Sequence, residues 1–377
     1  MKSGLNQKIG ILGGGQLGRM LIQSGIDFNI NFSVLDPDAS APCASISSFT
    51  HGKLIDYQTV VNFGKACDLI TIEIENVNVE ALKELVRQGK KVFPQPEVIE
   101  LIQDKRKQKE FYKRHQIPTA DFILTENKQE VIANRSFLPA VNKLGKEGYD
   151  GRGVQLLRSE ADLEKAFDAP GLLEKLIDFE KEIAVIVARN ESGEIISYPA
   201  VEMVFHPTAN LVEYLFSPAE ICSAIAKEAD AIAKSVIEKM NMVGLLAVEM
   251  FVTKEGKVLV NEVAPRPHNS GHQTIEANIT SQYEQHLRAT LNLPLGNTAT
   301  VLPSAMVNLL GEEGFSGDAQ YQGLEEVLRL AGTHIHLYGK KITKPFRKMG
   351  HVTIVDADLE SLRKKANFVK QTLKVIA

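Results

Sequence analysis

Cysteine is scarce: Cys43, Cys67 and Cys222 are the only three in 377 residues. They are scattered and odd in number, and no short spacing between them suggests zinc or a disulfide framework, so a reducing cytoplasm is the expected setting. Long apolar runs are missing too. Nothing approaches the ~20 residues of a membrane span. The apolar stretch at residues 9–12 ends in a glycine cluster, far short of a signal-peptide core. Positive charge is not in surplus: 43 Lys and Arg against 47 Asp and Glu give a net charge of -4, which leaves no basic footprint for nucleic acid. Internal repeats and low-complexity tracts are absent. What is there is ordinary for a soluble globular chain, with 44% hydrophobic and 24% charged residues. The length allows two or three domains with a cleft between them.

The N-terminal part alternates short apolar runs with helical patterns: residues 8–12, a helix from about Gln16, then residues 32–35 and 68–74. That is the βαβ signature of a parallel sheet. Pro94 and Pro96 close this unit, and a highly charged helix over residues 104–115 leads into the linker Ile117-Pro118. A domain boundary near residue 100 follows. From Ala140 the pattern changes to hairpins and strands around helices at about 159–168 and 218–240, so the middle of the chain is α+β with antiparallel pieces. Ser159 with Asp162, and Ser281 with Glu284, have capping-box spacing. Strands at 305–309, 334–338 and 352–355 and a helix from about Asp358 complete the chain.

Two glutamates carry the strongest chemical signal. Apolar runs at 245–252 and 257–263 flank Glu255-Gly256, a pair suited to a two-residue turn. With that turn, Lys254 faces Lys257, and counting back sets Glu249 directly opposite Glu262 with Cβ atoms roughly 5 Å apart. Like charges so placed repel. A cation between them reverses the sign, and paired carboxylates with room for phosphate oxygens are the usual protein share of a magnesium-nucleotide site. The alternative is two solvated glutamates on a hairpin face.

The run from Gly13 to Gly18 follows a strand and opens a helix, with Asp36 at the end of the next strand, which satisfies the dinucleotide fingerprint. Amides exposed by glycine at a helix N-terminus hold any phosphate or carboxylate equally well. A second glycine loop, residues 145–153, joins two strands and can fold over a triphosphate. Its amides and Arg152 would offset phosphate charge, and Lys143 at the end of the entering strand would be a point-charge partner. No Gly-Lys-Ser/Thr follows, so this is not a Walker loop. Residues 172–177 read as a strand whose edge can pair an adenine through backbone groups, with Glu182 beyond it for ribose hydroxyls; an ordinary exposed strand end is the alternative. His268 and His272 have the i, i+4 spacing of zinc ligands, but Pro267, Ser270 and Gly271 oppose a helix. The expected structure is a loop that points Arg266, His268 and Asn269 into a site. Lys340 and Arg347 bracket a loop between two strands and can face the Gly13 loop as the other half of an anion clamp.

With those residues in view, the chain resembles the N5-carboxyaminoimidazole ribonucleotide synthase family, the ATP-grasp carboxylases of purine biosynthesis. The likeness is carried by Gly13-Gly-Gly-Gln-Leu-Gly-Arg19-Met20, Thr71-Ile-Glu-Ile-Glu75-Asn76, Gly148-Tyr-Asp-Gly-Arg-Gly153, Asn261-Glu-Val-Ala-Pro-Arg-Pro-His-Asn-Ser-Gly-His272 and Arg347-Lys-Met-Gly-His351, in the expected order along the chain. The resemblance implies an α/β and α+β architecture. A parallel-sheet pre-ATP-grasp domain would span residues 1–100, an ATP-grasp domain 101–297 and a small C-terminal domain 298–377, in a homodimer. By family position Lys105, Lys143, Gly148, Tyr149, Asp150, Gly151, Arg152, Gly153, Val154, Glu174, Lys175, Leu176, Ile177, Glu182, Asn261 and Glu262 would bind ATP. Glu249 and Glu262 would hold magnesium, or manganese in its place. Gln16, Leu17, Tyr149, Asp150, Arg152, Arg266, His268, Lys340 and Arg347 would line the aminoimidazole ribonucleotide and bicarbonate sites, with Arg266, His268, Asp150 and Lys143 acting in the chemistry. Lys105 stands where many relatives have arginine, and Phe346 where glycine is common. Strict alternation on the hairpin turns Asn261 away from Glu262, so its family role requires a twist or a bulge.

The implied reaction uses ATP to phosphorylate bicarbonate, and the carboxyl group of the resulting carboxyphosphate passes to the exocyclic amine of aminoimidazole ribonucleotide. Carboxyphosphate hydrolyses readily, so the 145–153 loop is expected to close as a lid over a dry compartment. Three readings compete. One is another ATP-grasp ligase, such as a formate-dependent glycinamide ribonucleotide transformylase, which the 268–272 and 347–351 segments oppose. The second is an NAD-dependent oxidoreductase resting on the Gly13 fingerprint and Asp36. The third is a catalytically dead nucleotide-binding regulator, which the presence of both carboxylates and Lys143 opposes.

Overall fold

An uninterrupted apolar run suits a strand covered on both faces, and Ile9, Ile11 and Leu12 are fully buried in one. A computed structural model of the chain describes residues 7–146, 153–205 and 211–377. Gly148, Tyr149, Asp150, Gly151 and Arg152, and with them the expected lid, lie outside the described residues. Strand β1 (Lys8–Leu12) pairs in parallel with β2 (Asn31–Asp36) on one side and β4 (Leu69–Ile72) on the other; β3 (Ser48–His51) and β5 (Lys91–Val92) form the edges. The chain leaves β4 toward the opposite edge of the sheet from the one to which it leaves β1. The crevice beyond the C-terminal end of β1 is therefore a topological switch point, where ligands bind in open parallel sheets.

A second, antiparallel sheet has the order β6-β9-β7-β8, built from β6 (Phe122–Thr125), β7 (Ala140–Leu144), β8 (Val154–Leu157) and β9 (Gly171–Lys175). The largest sheet takes β10 (Phe179–Arg189), β11 (Ile195–Ser197), β12 (Val201–Phe205), β13 (Val212–Ser217), β14 (Gly244–Thr253), β15 (Val258–Ala264) and β16 (Ser304–Leu310). The short strands β17 (Gly317–Asp318) and β20 (Ile342–Thr343) pair apart from it, as do β18 (Gln320–Gln322) and β22 (Lys374–Ile376); β19 (Thr333–Leu337) and β21 (Lys348–Val355) complete it. Its order is β15-β14-β10-β12-β13-β16-β21-β19, with β11 beside β10. β16 pairs with β13, so the C-terminal strands continue the middle sheet. Two helical expectations change. Residues 159–168 form a 3-10 turn, Glu160–Lys165, opened by the Ser159–Asp162 capping box, and the long middle helix starts later than expected, spanning Ser223–Lys239.

That long helix explains which way the large sheet faces. Its Ala229, Ile232, Ala233, Val236 and Ile237 pack on Ile183, Val185 and Val187 of β10, on Leu246, Val248 and Met250 of β14, and on Val258, Val260 and Val263 of β15. Each fully buried aliphatic side chain there contributes about 1.5–3 kcal/mol. The alternate residues, Glu182 and Glu249 among them, point from the other face into the cleft beneath the four-stranded sheet. Among the described residues, no helix is long and apolar enough to cross a membrane.

Candidate active site

β14 and β15 form the expected hairpin, and Glu249 stands opposite Glu262. The route to that pairing differs from the expected one. The turn comprises Lys254, Glu255 and Gly256: Thr253 N–H donates to Lys257 O at 2.9 Å, and Gly256 takes the left-handed position at φ +78°. Thr253 and not Lys254 therefore faces Lys257, and the pairs beside the turn are Val252 with Val258 and Met250 with Val260. Between Met250 and Glu249 the register slips. Asn261 is the extra residue of a β-bulge that returns Glu262 to Glu249. Because Val260 and Val263 both stay in the core, the bulge sets Asn261 and Glu262 together on the cleft face.

Lysines meet this face from the other side of the cleft. Lys105 Nζ lies 3.3 Å from Glu262 Oε2, and Lys143 Nζ donates to Asn261 Oδ1 at 3.2 Å. Lys143 also pairs with Glu174 Oε2 at 2.8 Å, while Lys109 holds Glu174 Oε1 at 2.9 Å. Burial on its own would raise the Glu174 carboxyl, but Lys143 and Lys109 outweigh it and hold the group below the usual carboxylate range. Burial pulls Lys109 down to about 8. Burial, then Glu262 and Glu182, push Glu249 up, whereas Lys105 beside Glu262 holds that carboxyl down. Glu182 is pushed up to about 7 by burial and by Glu262. A pair of carboxylates whose repulsion is relieved on one side only, with oxygen as the sole donor type, is a donor set that fits a hard divalent cation. Among the described residues no group of three or more His, Cys, Asp or Glu could hold a metal. Phosphate and water oxygens would have to complete such a site.

Arg266 Nε pairs with Glu75 Oε1 at 2.8 Å, across from the parallel-sheet domain. His268 Nδ1 accepts from Ser270 N–H at 3.3 Å, which leaves Nε2 as the protonated nitrogen of the neutral ring; Nε2 lies 3.5 Å from Glu249 Oε1. Burial, then Arg266 and Lys348, keep the ring uncharged. A 3-10 turn, Asn269–Gly271, separates His268 from His272, and His272 Nδ1 lies 2.9 Å from Tyr283 OH. The two histidines therefore do not form the zinc pair their spacing allows.

The Gly13 loop already holds carboxylates. Gly14 N–H donates to Asp36 Oδ2 at 2.6 Å and Leu17 N–H donates to Glu73 Oε1 at 3.1 Å. A Cβ on Gly15 would lie 2.4 Å from Glu73 Oε1, so the glycine admits an anion of the chain itself. Burial raises Glu73 to about 7, against the pull of Arg266. Lys340 Nζ donates to Gln16 Oε1 at 2.9 Å, which brings the C-terminal region to this loop. Arg347 donates from Nη1 to Ile342 O at 2.6 Å, and its charge adds to the Ser40 hydrogen bonds that hold Asp38 low. Phe346 takes the third position of the 344–347 turn at φ +62°, after Pro345, with Arg347 N–H donating to Lys344 O at 3.0 Å. Glycine fits that position best, so this departure from the family pattern costs about 1 kcal/mol of backbone strain.

The expected adenine strand is tied into its sheet. β9 is an inner strand between β6 and β7. Lys175 N–H donates to Asp121 O at 2.8 Å, and Leu176 N–H to Pro139 O at 3.2 Å. The Lys175 ammonium donates to the Phe137 and Leu138 carbonyls at 3.0 and 3.2 Å, so it braces that turn and does not face the cleft. The ends of the second glycine loop are tied together: Leu144 N–H donates to Gly153 O at 2.9 Å, and Val154 pairs with Lys143. Glu73 and Glu75 entered the sequence reading only as part of a family motif, with no role, and Lys109 and Thr119 escaped it. The two glutamates were signalled by their interruption of the apolar run from Leu69, and Lys109 by its place one turn beyond Lys105. Thr119 had no local signal.

Three family models match the chain: the ribonucleotide synthetase preATP-grasp domain at residues 6–103, the ATP-grasp domain at 110–283 and the phosphoribosylaminoimidazole carboxylase C-terminal domain at 304–365. The N5-carboxyaminoimidazole ribonucleotide synthase of Synechococcus elongatus is 39% identical over 92% of this chain and 89% of its own length. The chain also matches the phosphoribosylaminoimidazole carboxylase of Candida glabrata at 37% identity, of which it spans 66%. Among solved structures, N5-carboxyaminoimidazole ribonucleotide synthetase from Thermotoga maritima superposes with a TM-score of 0.91 at 43% identity, covering 98% of this chain and 99% of that one. The Aspergillus clavatus synthase in complex with ADP and 5-aminoimidazole ribonucleotide gives 0.87 at 32% identity, covering 98% and 100%.

Proposed function

We infer the roles of these residues from the premise that the chain belongs to the N5-carboxyaminoimidazole ribonucleotide synthase family. It is an ATP-dependent ligase that carboxylates 5-aminoimidazole ribonucleotide in purine biosynthesis. The observation that best supports a working enzyme is the convergence of Glu249, Glu262, Asn261, Lys105 and Lys143 on one cleft between two sheets.

Lys143 and Lys105 meet the nucleotide's phosphates, and Glu182 accepts from its ribose hydroxyls. Glu249 and Glu262 hold magnesium, which when bound stabilises the charge that phosphoryl transfer places on oxygen. Bicarbonate lies between Arg266, whose guanidinium Glu75 orients, and the Nε2–H of His268. A bicarbonate oxygen bonds to the γ-phosphorus as the bond to the departing ADP oxygen breaks. The amine nitrogen of the ribonucleotide then bonds to the carboxyl carbon, phosphate leaves with the electron pair, and the amine gives up its proton. Lys340 and Arg347, with the Gln16 side chain that Lys340 already meets, hold the ribonucleotide's 5′-phosphate. The working unit is a homodimer in the cytoplasm.

The test is ADP formation that requires bicarbonate and is stimulated by aminoimidazole ribonucleotide, with the carboxylated product identified by mass. Turnover that accepts formate in place of bicarbonate, or that ignores the ribonucleotide, would overturn the reading.

A further inference from the structure

Lys109 has none of the roles above, yet it is 3% exposed. It sits one turn beyond Lys105 on the helix Lys105–Arg114, so the two ammonium groups share a helix face that looks into the cleft. Lys109 Nζ donates to Glu174 Oε1 at 2.9 Å and to Thr119 Oγ1. Thr119 Oγ1 in turn donates to Val260 O at 2.7 Å, beside the bulge at Asn261. Nζ is therefore fixed from both sheets. Glu174 Oε2 meets Lys143 at 2.8 Å. Burying an ammonium costs several kcal/mol, and an apolar side chain of the same length would fill this space without that cost. Shape alone does not account for a charge here.

We propose that Lys109 is a positioning residue for phosphoryl transfer, neutralising Glu174 so that the charge of Lys143 stays available to the nucleotide's phosphates. The two lysines and one carboxylate carry a net charge of +1. Without Lys109, the Glu174–Lys143 pair is neutral, and a buried carboxylate holds Lys143 to itself. This rests on the reading that Lys143 meets the phosphates.

The experiment measures ATP binding by calorimetry with magnesium present, alongside steady-state constants for both substrates. Lys109→Met should weaken ATP binding by about tenfold or more, the scale of one charge-assisted hydrogen bond, while the Michaelis constant of the ribonucleotide stays within about twofold. The double variant Lys109→Met with Glu174→Gln returns the net +1 to Lys143 and should recover most of the loss. Lys143→Met separates the two ideas. If it keeps full ATP affinity, the phosphate reading of Lys143 falls and takes the inference with it. If it loses affinity while Lys109→Met does not, or if the double variant fails to recover, the positioning role alone is wrong. Should Lys109→Met not fold, Glu174→Gln and the double variant decide. With Glu174 uncharged the lysines carry +2 in the single variant and +1 in the double, so neither should bind ATP more than about twofold more weakly than the natural protein, and a tenfold loss in either would reject the proposal.

Discussion

Glu249 faces Glu262 because two displacements of the hairpin cancel. The turn at Lys254, Glu255 and Gly256 shifts the ladder one way, and the bulge at Asn261 shifts it back. A regular hairpin with either feature alone would separate the carboxylates. With both present, Glu262 gains Lys105 at 3.3 Å and Asn261 gains Lys143 at 3.2 Å, so two residues adjacent in sequence work on one face.

Glu262→Gln keeps the shape of the side chain and removes the charge that pairs with Lys105. ATP turnover should fall by at least about a hundredfold, since the variant leaves a charged metal ligand on one strand only. The melting temperature should change little, because the favourable pairing with Lys105 and the repulsion from Glu249 are lost together. Unchanged turnover with an unchanged magnesium requirement would falsify the shared-cation reading.

Lys340→Ala and Arg347→Ala test the ribonucleotide clamp. Each removes a charge-assisted hydrogen bond worth about 1.5–3 kcal/mol, so the Michaelis constant for the ribonucleotide should rise about ten- to a hundredfold. That for ATP should hardly move. Lys340 sits on Gln16 and Arg347 beside Asp38, both far along the chain from the lysines at 105 and 143. Two solvated surface side chains would leave both constants unchanged, and an effect confined to ATP would reject the clamp.

No saturable binding of NADH is expected in a fluorescence titration. The amides of Gly14 and Leu17 that could hold a pyrophosphate already donate to Asp36 and Glu73. Binding at micromolar concentration would show that these carboxylates swing away and that the Gly13 fingerprint reads as a dinucleotide site after all.

Stability should carry a signature of the buried His286, whose Nε2 lies 2.9 Å from Thr71 Oγ1. Burial lowers its pKa from 6.5 to about 4. Between those values the unfolded ring takes up a proton and the folded ring does not. Its contribution to stability is therefore complete above pH 6.5 and is lost as the pH falls toward 4. His286→Phe should make that loss shallower by about 1.4 kcal/mol per pH unit, on top of a pH-independent cost from depriving Thr71 of its partner. Denaturant titrations of both proteins across this window measure the difference in slope. Parallel profiles would mean that the ring is ionised in the folded protein.

Much of this protein was legible in its sequence, because the information is local. The parallel sheet showed in apolar runs alternating with helical patterns, the capping box in the pair Ser159 and Asp162, and the family in short ordered motifs whose residue types the chemistry requires. The hairpin was legible as well. Its bulge was latent in the spacing of Val258, Val260 and Val263, where two polar residues stand between buried positions that strict alternation would space evenly. Only the tertiary structure decided the rest. The backbone groups along a strand edge are the same whatever the sequence, so nothing local in β16 announces β13 as its neighbour. The same holds for the charges. Glu73 filling the Gly13 loop, Arg266 reaching Glu75, and Lys109 bridging Glu174 and Thr119 each join residues from different elements. A carboxylate or an ammonium carries the same chemistry wherever it stands, and its function follows from the partners and the burial that folding supplies.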